Sequence, residues 1–195
     1  GANGVILITT KSGKRGKTKV EFSSFITTQT LRNKLDLLSA EDHAIIFNER
    51  TVALGGSPQF TSTDIANYKA NGGTDWQDQI FRSALQKNYN VAVSGGGENT
   101  TYLFSVNHVD QEGILINSDY KRYQLRANLN SKISDNVKVG LRLYAIREQI
   151  NPQTFNSSFG SPVTDAMHFP ATFQSIYDDK GNYIQSSDPQ LWNPV

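Results

Sequence analysis

Chemistry is first suggested by residues 5–18, VILITTKSGKRGKT, where an apolar run breaks into glycines and lysines and closes on Gly16-Lys17-Thr18. A nucleotide-binding loop needs a buried strand, glycines whose backbone N–H groups wrap phosphate, and a Lys-Ser/Thr pair that opens a helix. Val5 to Thr10 supplies a strand, and Gly16-Lys17-Thr18 supplies the closing letters. The glycine that the pattern requires ahead of the Gly-Lys pair is replaced by Lys11, whose side chain crowds a backbone that must curl tightly. Downstream, Lys19 to Ile26 is β-branched, aromatic and alternating, which predicts a strand where the motif needs a helix. The stretch reads as a basic turn between two strands.

The other reactive side chains do not converge on a reaction. Glu41-Asp42 follows Ser39 and complements the dipole of a predicted helix. Asp178-Asp179-Lys180-Gly181-Asn182 predicts a hairpin turn between 173–177 and 183–185. His43, His108 and His168 fall in three separate segments with no cysteine or spaced histidine beside them. No nucleophile with its base can be assembled, so no enzyme, cofactor or metal ion is expected. The candidate ligand-binding residues are aromatic: Trp76, Tyr177 and Trp192. For Trp76 two roles compete, an anchor that ties a long loop down and a stacking platform for a sugar.

The elements that would have to position these residues are bounded by composition. The chain has 195 residues, a formal net charge of +1 and no cysteine, which excludes a disulfide framework and gives no electrostatic pointer to nucleic acid. No apolar run approaches the ~18 residues of a membrane helix, so a bilayer would be crossed only by β-strands. The chain opens on Gly1-Ala2-Asn3-Gly4 and closes on Asn193-Pro194-Val195. It is expected to be an internal fragment of a longer protein.

Alternation predicts strands over Val20–Thr28, Leu85–Ser94, Thr101–Val109, Tyr123–Ile133 and Val137–Ala145, with Gln111–Asp119 as a loop. Tyr89, Val91, Phe104, Val106, Leu125, Leu129, Val139 and Leu141 share the apolar parity, while Arg126, Lys138 and Arg142 take the other. Runs of about ten residues match a tilted membrane strand better than the ~5 to 6 residues usual in soluble sheets. The turns at 95–100 and 134–136 are short, whereas 29–84 and the segment after Gln149 are long, and such asymmetry is the rule in outer-membrane barrels. Ser39 before Ala44-Ile45-Ile46-Phe47, and Ser62-Thr63-Asp64 before Ile65, place two helices in the 29–84 insertion. Parity says which residues share a face but not which face is inside, so a soluble antiparallel sandwich or lipocalin-like barrel fits the pattern as well.

Several segments together resemble the SusC/RagA family of TonB-dependent outer-membrane transporters. The opening GANGVILITTKSGK is similar to that family's plug-domain terminus, and TDWQDQIFR (74–82) to the segment ahead of its second barrel strand. The match continues through YNVAVSGG (89–96), QEGI (111–114), YQLRANL (123–129) and LWNP (191–194). The resemblance implies a mainly β fold: part of a transmembrane antiparallel β-barrel, about five of its 22 strands, with a helical extracellular loop insertion and the last strand of a plug before it. Residues 1–17 would end the plug and its link, and 18–195 would begin the barrel, with 29–84 and 150–195 as long extracellular loops. It also implies import of glycans or peptides across the outer membrane of a Gram-negative bacterium, with a SusD-like surface lipoprotein and TonB as partners and outer-membrane lipid around the wall. TonB would act through a motif upstream of Gly1. The alternative is a soluble carbohydrate-binding β-domain that uses Trp76 and loop tyrosines as stacking surfaces.

Overall fold

A computed structural model describes residue 4 and residues 11–153, 161–173, 176–184, 186 and 193–195. The strand expected at Val5–Thr10 and the aromatic candidate Trp192 lie outside the described residues. Five strands, β1 (Gly16–Gln29), β2 (Ala84–Gly96), β3 (Thr100–Glu112), β4 (Asp119–Lys132) and β5 (Lys138–Asn151), form one open antiparallel sheet in sequence order. The fold is mainly β, as expected. Four helices accompany it: α1 (Ala40–Ala53), α2 (Ser62–Asn71), α3 (Trp76–Ile80) and α4 (Pro162–His168). The chain divides into two compact units, one holding the sheet and the other built from 29–84, 113–118 and 152–195.

Each strand is three to five residues longer than alternation predicts, and Gln111–Asp119 is not a loop over its whole length. β3 runs on to Glu112 and β4 begins at Asp119, because Gln111 pairs with Tyr120 and Glu112 with Asp119 in an unbroken ladder. Only 113–118 is left as a connection. At the other end of the sheet the turns are as tight as expected: Gly97 N donates to Thr100 O, and Ile133 N to Val137 O.

Register sorts the side chains into two faces. Val91, Val106, Leu125 and Ala145 form one cross-strand row, and Val93, Phe104, Ala127 and Leu143 form the next. The row beyond is Gly95, Tyr102, Leu129 and Leu141. Towards the opposite end the apolar rows give way to Tyr89, His108, Tyr123 and Arg147. There the His108 ring is stacked between Tyr123, 4.4 Å away, and Tyr89, 6.4 Å away. Thr18 Oγ1 meets Tyr102 Oη at 2.6 Å, so Thr18, and with it Val20, Phe22 and Ile26 of β1, belongs to this apolar face. These side chains have no second layer over them among the described residues: Phe104, Val106 and Leu141 remain 45%, 51% and 54% exposed.

The second unit has its own core of Trp76, Ile80, Leu115, Ala166 and Phe169. Helix starts follow the capping rules. Ser39 Oγ accepts from Asp42 N at the head of α1. For α2 the cap is Thr61, not Ser62: Thr61 Oγ1 accepts from Asp64 N while the Asp64 carboxylate accepts from Thr61 N, a reciprocal capping box. The Asn48 side chain pins the loop between these helices, accepting from Gln59 N and Phe60 N and donating to Phe60 O. The short helices α3 and α4 have no forecast in the pattern.

Candidate functional site

Three places merit consideration: the polar face of the sheet, the surroundings of Trp76, and the hairpin at Tyr177. The polar face is set by the same parity as the apolar one. Arg126 lies opposite Tyr144, Asn128 opposite Arg142, and Lys132 opposite Lys138. Neutral amides and hydroxyls on β2 and β3 complete it, Asn107 Nδ2 donating to Asn88 Oδ1 at 2.7 Å. Across this face runs the chain that enters β1. Asn128 Nδ2 donates to Lys11 O at 2.8 Å, and a Cβ added at Gly13 would overlap the Tyr102 backbone. Gly13 is therefore required by close approach, and the strap Lys11–Arg15 is held on the sheet by backbone contact and one amide. The strap carries Lys11, Lys14 and Arg15, so its charge has the same sign as the wall beneath it.

Trp76 opens α3, whose N-terminus is capped by Asp75 accepting from Gln77 N and Asp78 N. Its ring is 2% exposed and meets Phe169 edge-on at 4.7 Å, and its indole N–H donates to Pro170 O at 3.1 Å. With both ring faces enclosed and the polar handle satisfied, the surroundings of Trp76 support an anchor rather than a stacking platform. Its neighbour Gln77 is also buried and closes both ends of its amide on Leu35, donating to Leu35 O and accepting from Leu35 N. Lys34 pairs with Asp75 and Asp78. The hydrogen bond to Asp78, with that to Asp75, raises the Lys34 ammonium above its ordinary value. A cavity of about 900 Å³ opens beside this anchor, lined by parts of 35–43, 72–77 and 166–171. Burial there holds the His43 imidazole below its ordinary value.

Tyr177 stands at the start of the hairpin. It bridges Tyr183 across the hairpin, the two half-exposed rings 4.9 Å apart. The turn between them is built as its sequence predicts. The Asp178 carboxylate accepts from Asn182 N at 2.8 Å and Lys180 N at 2.9 Å, and Gly181 takes a φ of 80°. Tyr183 is the partner that sequence reasoning missed. The signal was its position across the five-residue turn from Tyr177, which places two aromatics opposite each other. The structure brings Tyr177 to Tyr183 but not to Trp76, which lies in the separate core around Phe169. Among the described residues no cluster of histidines and carboxylates could hold a metal ion.

No protein-family model matches the chain. Over 200 residues it is 32% identical to TonB-dependent receptor P3 of Formosa agariphila, a match covering all of this chain and 19% of that protein. It is 33% identical over 129 residues to TonB-dependent receptor SusC of Bacteroides thetaiotaomicron, covering 66% of this chain and 12% of SusC. Among solved structures it resembles the RagAB peptide importer in its open-open state, with a TM-score of 0.71 and 21% identity over 95% of this chain and 24% of that one. The RagAB peptide transporter superposes with a TM-score of 0.68 at 20% identity, over 90% of this chain and 23% of that one. The chain thus spans less than a fifth of the length of the curated relatives it matches. With the whole of its sequence aligned to such a receptor, and an open five-stranded sheet that superposes on part of a barrel, the chain belongs to the SusC/RagA family of TonB-dependent receptors.

Proposed function

We propose that this chain is part of the wall of an outer-membrane importer that takes up oligosaccharides or peptides with energy from TonB. The observation that carries the reading is the division of the sheet, exposed aliphatic rows on one face and arginines, lysines and amides on the other, in strands of 13 and 14 residues. The apolar face would meet lipid and the polar face a watery lumen. From Val139 to Arg147 the strand climbs about 27 Å. At a tilt of about 40° this is about 20 Å along the membrane normal, most of the roughly 25 Å band of such barrels. The row of Tyr89, His108 and Tyr123 would then sit at the outer interface, where amphipathic rings are favoured.

On this reading residues up to 17 complete a plug and its link, the 97–99 and 133–137 turns face the periplasm, and 29–84 and 152–195 face outside. The outer segments, Tyr177 with Tyr183 among them, would form part of the substrate surface beneath a SusD-like lipoprotein lid. RagAB, by name a peptide importer, and SusC, by name a TonB-dependent receptor, support transport over catalysis. The competing reading, a soluble carbohydrate-binding domain, would need the apolar face covered by a second layer. Deleting the gene for the full-length receptor should abolish growth on one glycan or peptide source. Loss of TonB should reproduce that defect, and growth independent of TonB on every such source would contradict the proposal.

A further inference from the structure

We propose that the polar face of β4 and β5 is a file of cations that guides an anionic oligomer, one bearing closely spaced carboxylates or sulfates, along the inner wall. The proposal rests on the reading of this face as lumenal and adds to it the charge of the solute. Arg122, Arg126, Arg142 and Lys138 succeed one another down the two strands, the last three in the cross-strand rows of Tyr144, Asn128 and Lys132. At the rise of a β-strand their rows are about 13, 7 and 13 Å apart, so an extended oligomer leaving one cation is within reach of the next.

None of the four has a carboxylate within 4 Å among the described residues. Glu148 is the one carboxylate on this face of β4 and β5, and it already accepts from Tyr120 Oη at 2.7 Å. Arg122 stands directly opposite Glu148 in the ladder and beside the Tyr120 hydroxyl, with its Nε buried, so Arg126, Arg142 and Lys138 are the members of the file that a passing carboxylate or sulfate would meet. The Arg126 guanidinium lies 5.6 Å over the Tyr144 ring, a stacking that leaves its planar edge free to donate. The file ends in a cavity of about 530 Å³ lined by Arg15, Lys132 and Lys138 together with Glu98 and Asp135, the last paired with Lys132.

The opposite face of the sheet differs. There Asp110 sits between Lys87 and Lys121 in one cross-strand row, so cations and carboxylates are interspersed. Over β2 to β5 that face balances Lys87, Lys121 and Arg147 against Asp110, Glu112 and Asp119, whereas the polar face of β4 and β5 sets five cations against Glu148 alone. The strap Lys11–Arg15, basic itself, adds to that sign rather than neutralising it.

The test uses the full-length receptor in detergent micelles, titrated calorimetrically with decaglutamate against decaglutamine, and with sulfated against unsulfated dextran oligomers. Wild type is expected to prefer at least one charged probe over its neutral counterpart by about tenfold or more. The preferred pair distinguishes a peptide from a glycan source. The preference should shrink at least about fivefold in R126Q/R142Q and decline as salt is raised. Equal affinities, no binding of either charged probe, or a preference untouched by R126Q/R142Q would overturn the proposal. So would a double variant whose unliganded melting temperature falls while the preference stays, which would assign the arginines to holding the protein's own chain. A receptor that imports its nutrient with TonB yet shows no charge preference would refute this inference alone. A receptor absent from the outer membrane would refute the lumenal reading with it.

Discussion

Gly95 illustrates what a single residue does here and why sequence alone misplaces it. Gly95-Gly96-Gly97 reads as a flexible hairpin tip, yet only Gly97 lies outside the strands. A Cβ at Gly95 would stand 2.8 Å from Tyr102 Oη and 3.1 Å from Thr18 Cα. The tyrosine crosses over this glycine on β2 to reach Thr18 on β1. Alternation reports the face of a residue but not the neighbour two strands away, so this joint was not legible. Tyr102→Phe should cost about 1 kcal/mol of unfolding free energy by losing the hydroxyl bond. Gly95→Val should cost about 1 to 3 kcal/mol by displacing the ring. Denaturant unfolding of the receptor in micelles measures both, and a smaller loss at Gly95 than at Tyr102 would contradict the joint. Asp178 was legible in full, because a turn aspartate acts on its own backbone. The Asn182 amides, backbone first, hold its carboxyl below the ordinary carboxylate value. Its contribution is therefore present above the ordinary carboxylate pKa and lost as pH falls through the lowered one. Amide exchange at Asn182, corrected for its intrinsic pH dependence, should accelerate over that acidic window and not near neutrality.

At the scale of elements, the strands were found where the two faces differ in polarity and lost where they do not. Beyond the row of Tyr89, His108 and Tyr123 the pairs are Asp110 with Lys121, Gln111 with Tyr120 and Glu112 with Asp119. Both faces are polar there, so the period vanishes while the hydrogen-bond ladder continues. Helices α1 and α2 were legible from their caps. The five residues of α3 and seven of α4 are too short to display a period, and tertiary packing of Trp76, Ala166 and Phe169 holds them. The division of faces also orders mutational effects. Leu129→Arg or Leu141→Arg should each cost about 2 to 4 kcal/mol near mid-membrane, while Arg142→Gln should leave stability nearly unchanged and alter transport. Refolding of the variants into lipid vesicles would show it, and equal costs for Leu141→Arg and Arg142→Gln would contradict the assignment.

At the scale of the whole molecule, β1 and β5 are the outer strands of an open sheet whose relatives are far longer. Two unpaired edges and a broad apolar face do not suit water. Residues 1–195 purified without detergent should aggregate or unfold without a sharp transition, and a monodisperse monomer melting cooperatively would favour the soluble binding domain. The central claim, however, concerns which face meets lipid, and single-cysteine labelling of the full-length receptor in the outer membrane addresses it most directly. Cysteines at Val91, Val106, Leu125 and Leu141 should react with a lipid-soluble maleimide and resist a charged, water-soluble one, and those at Arg126 and Arg142 should show the reverse. Water-soluble labelling of the first set, with protection of the second, would contradict the barrel-wall assignment.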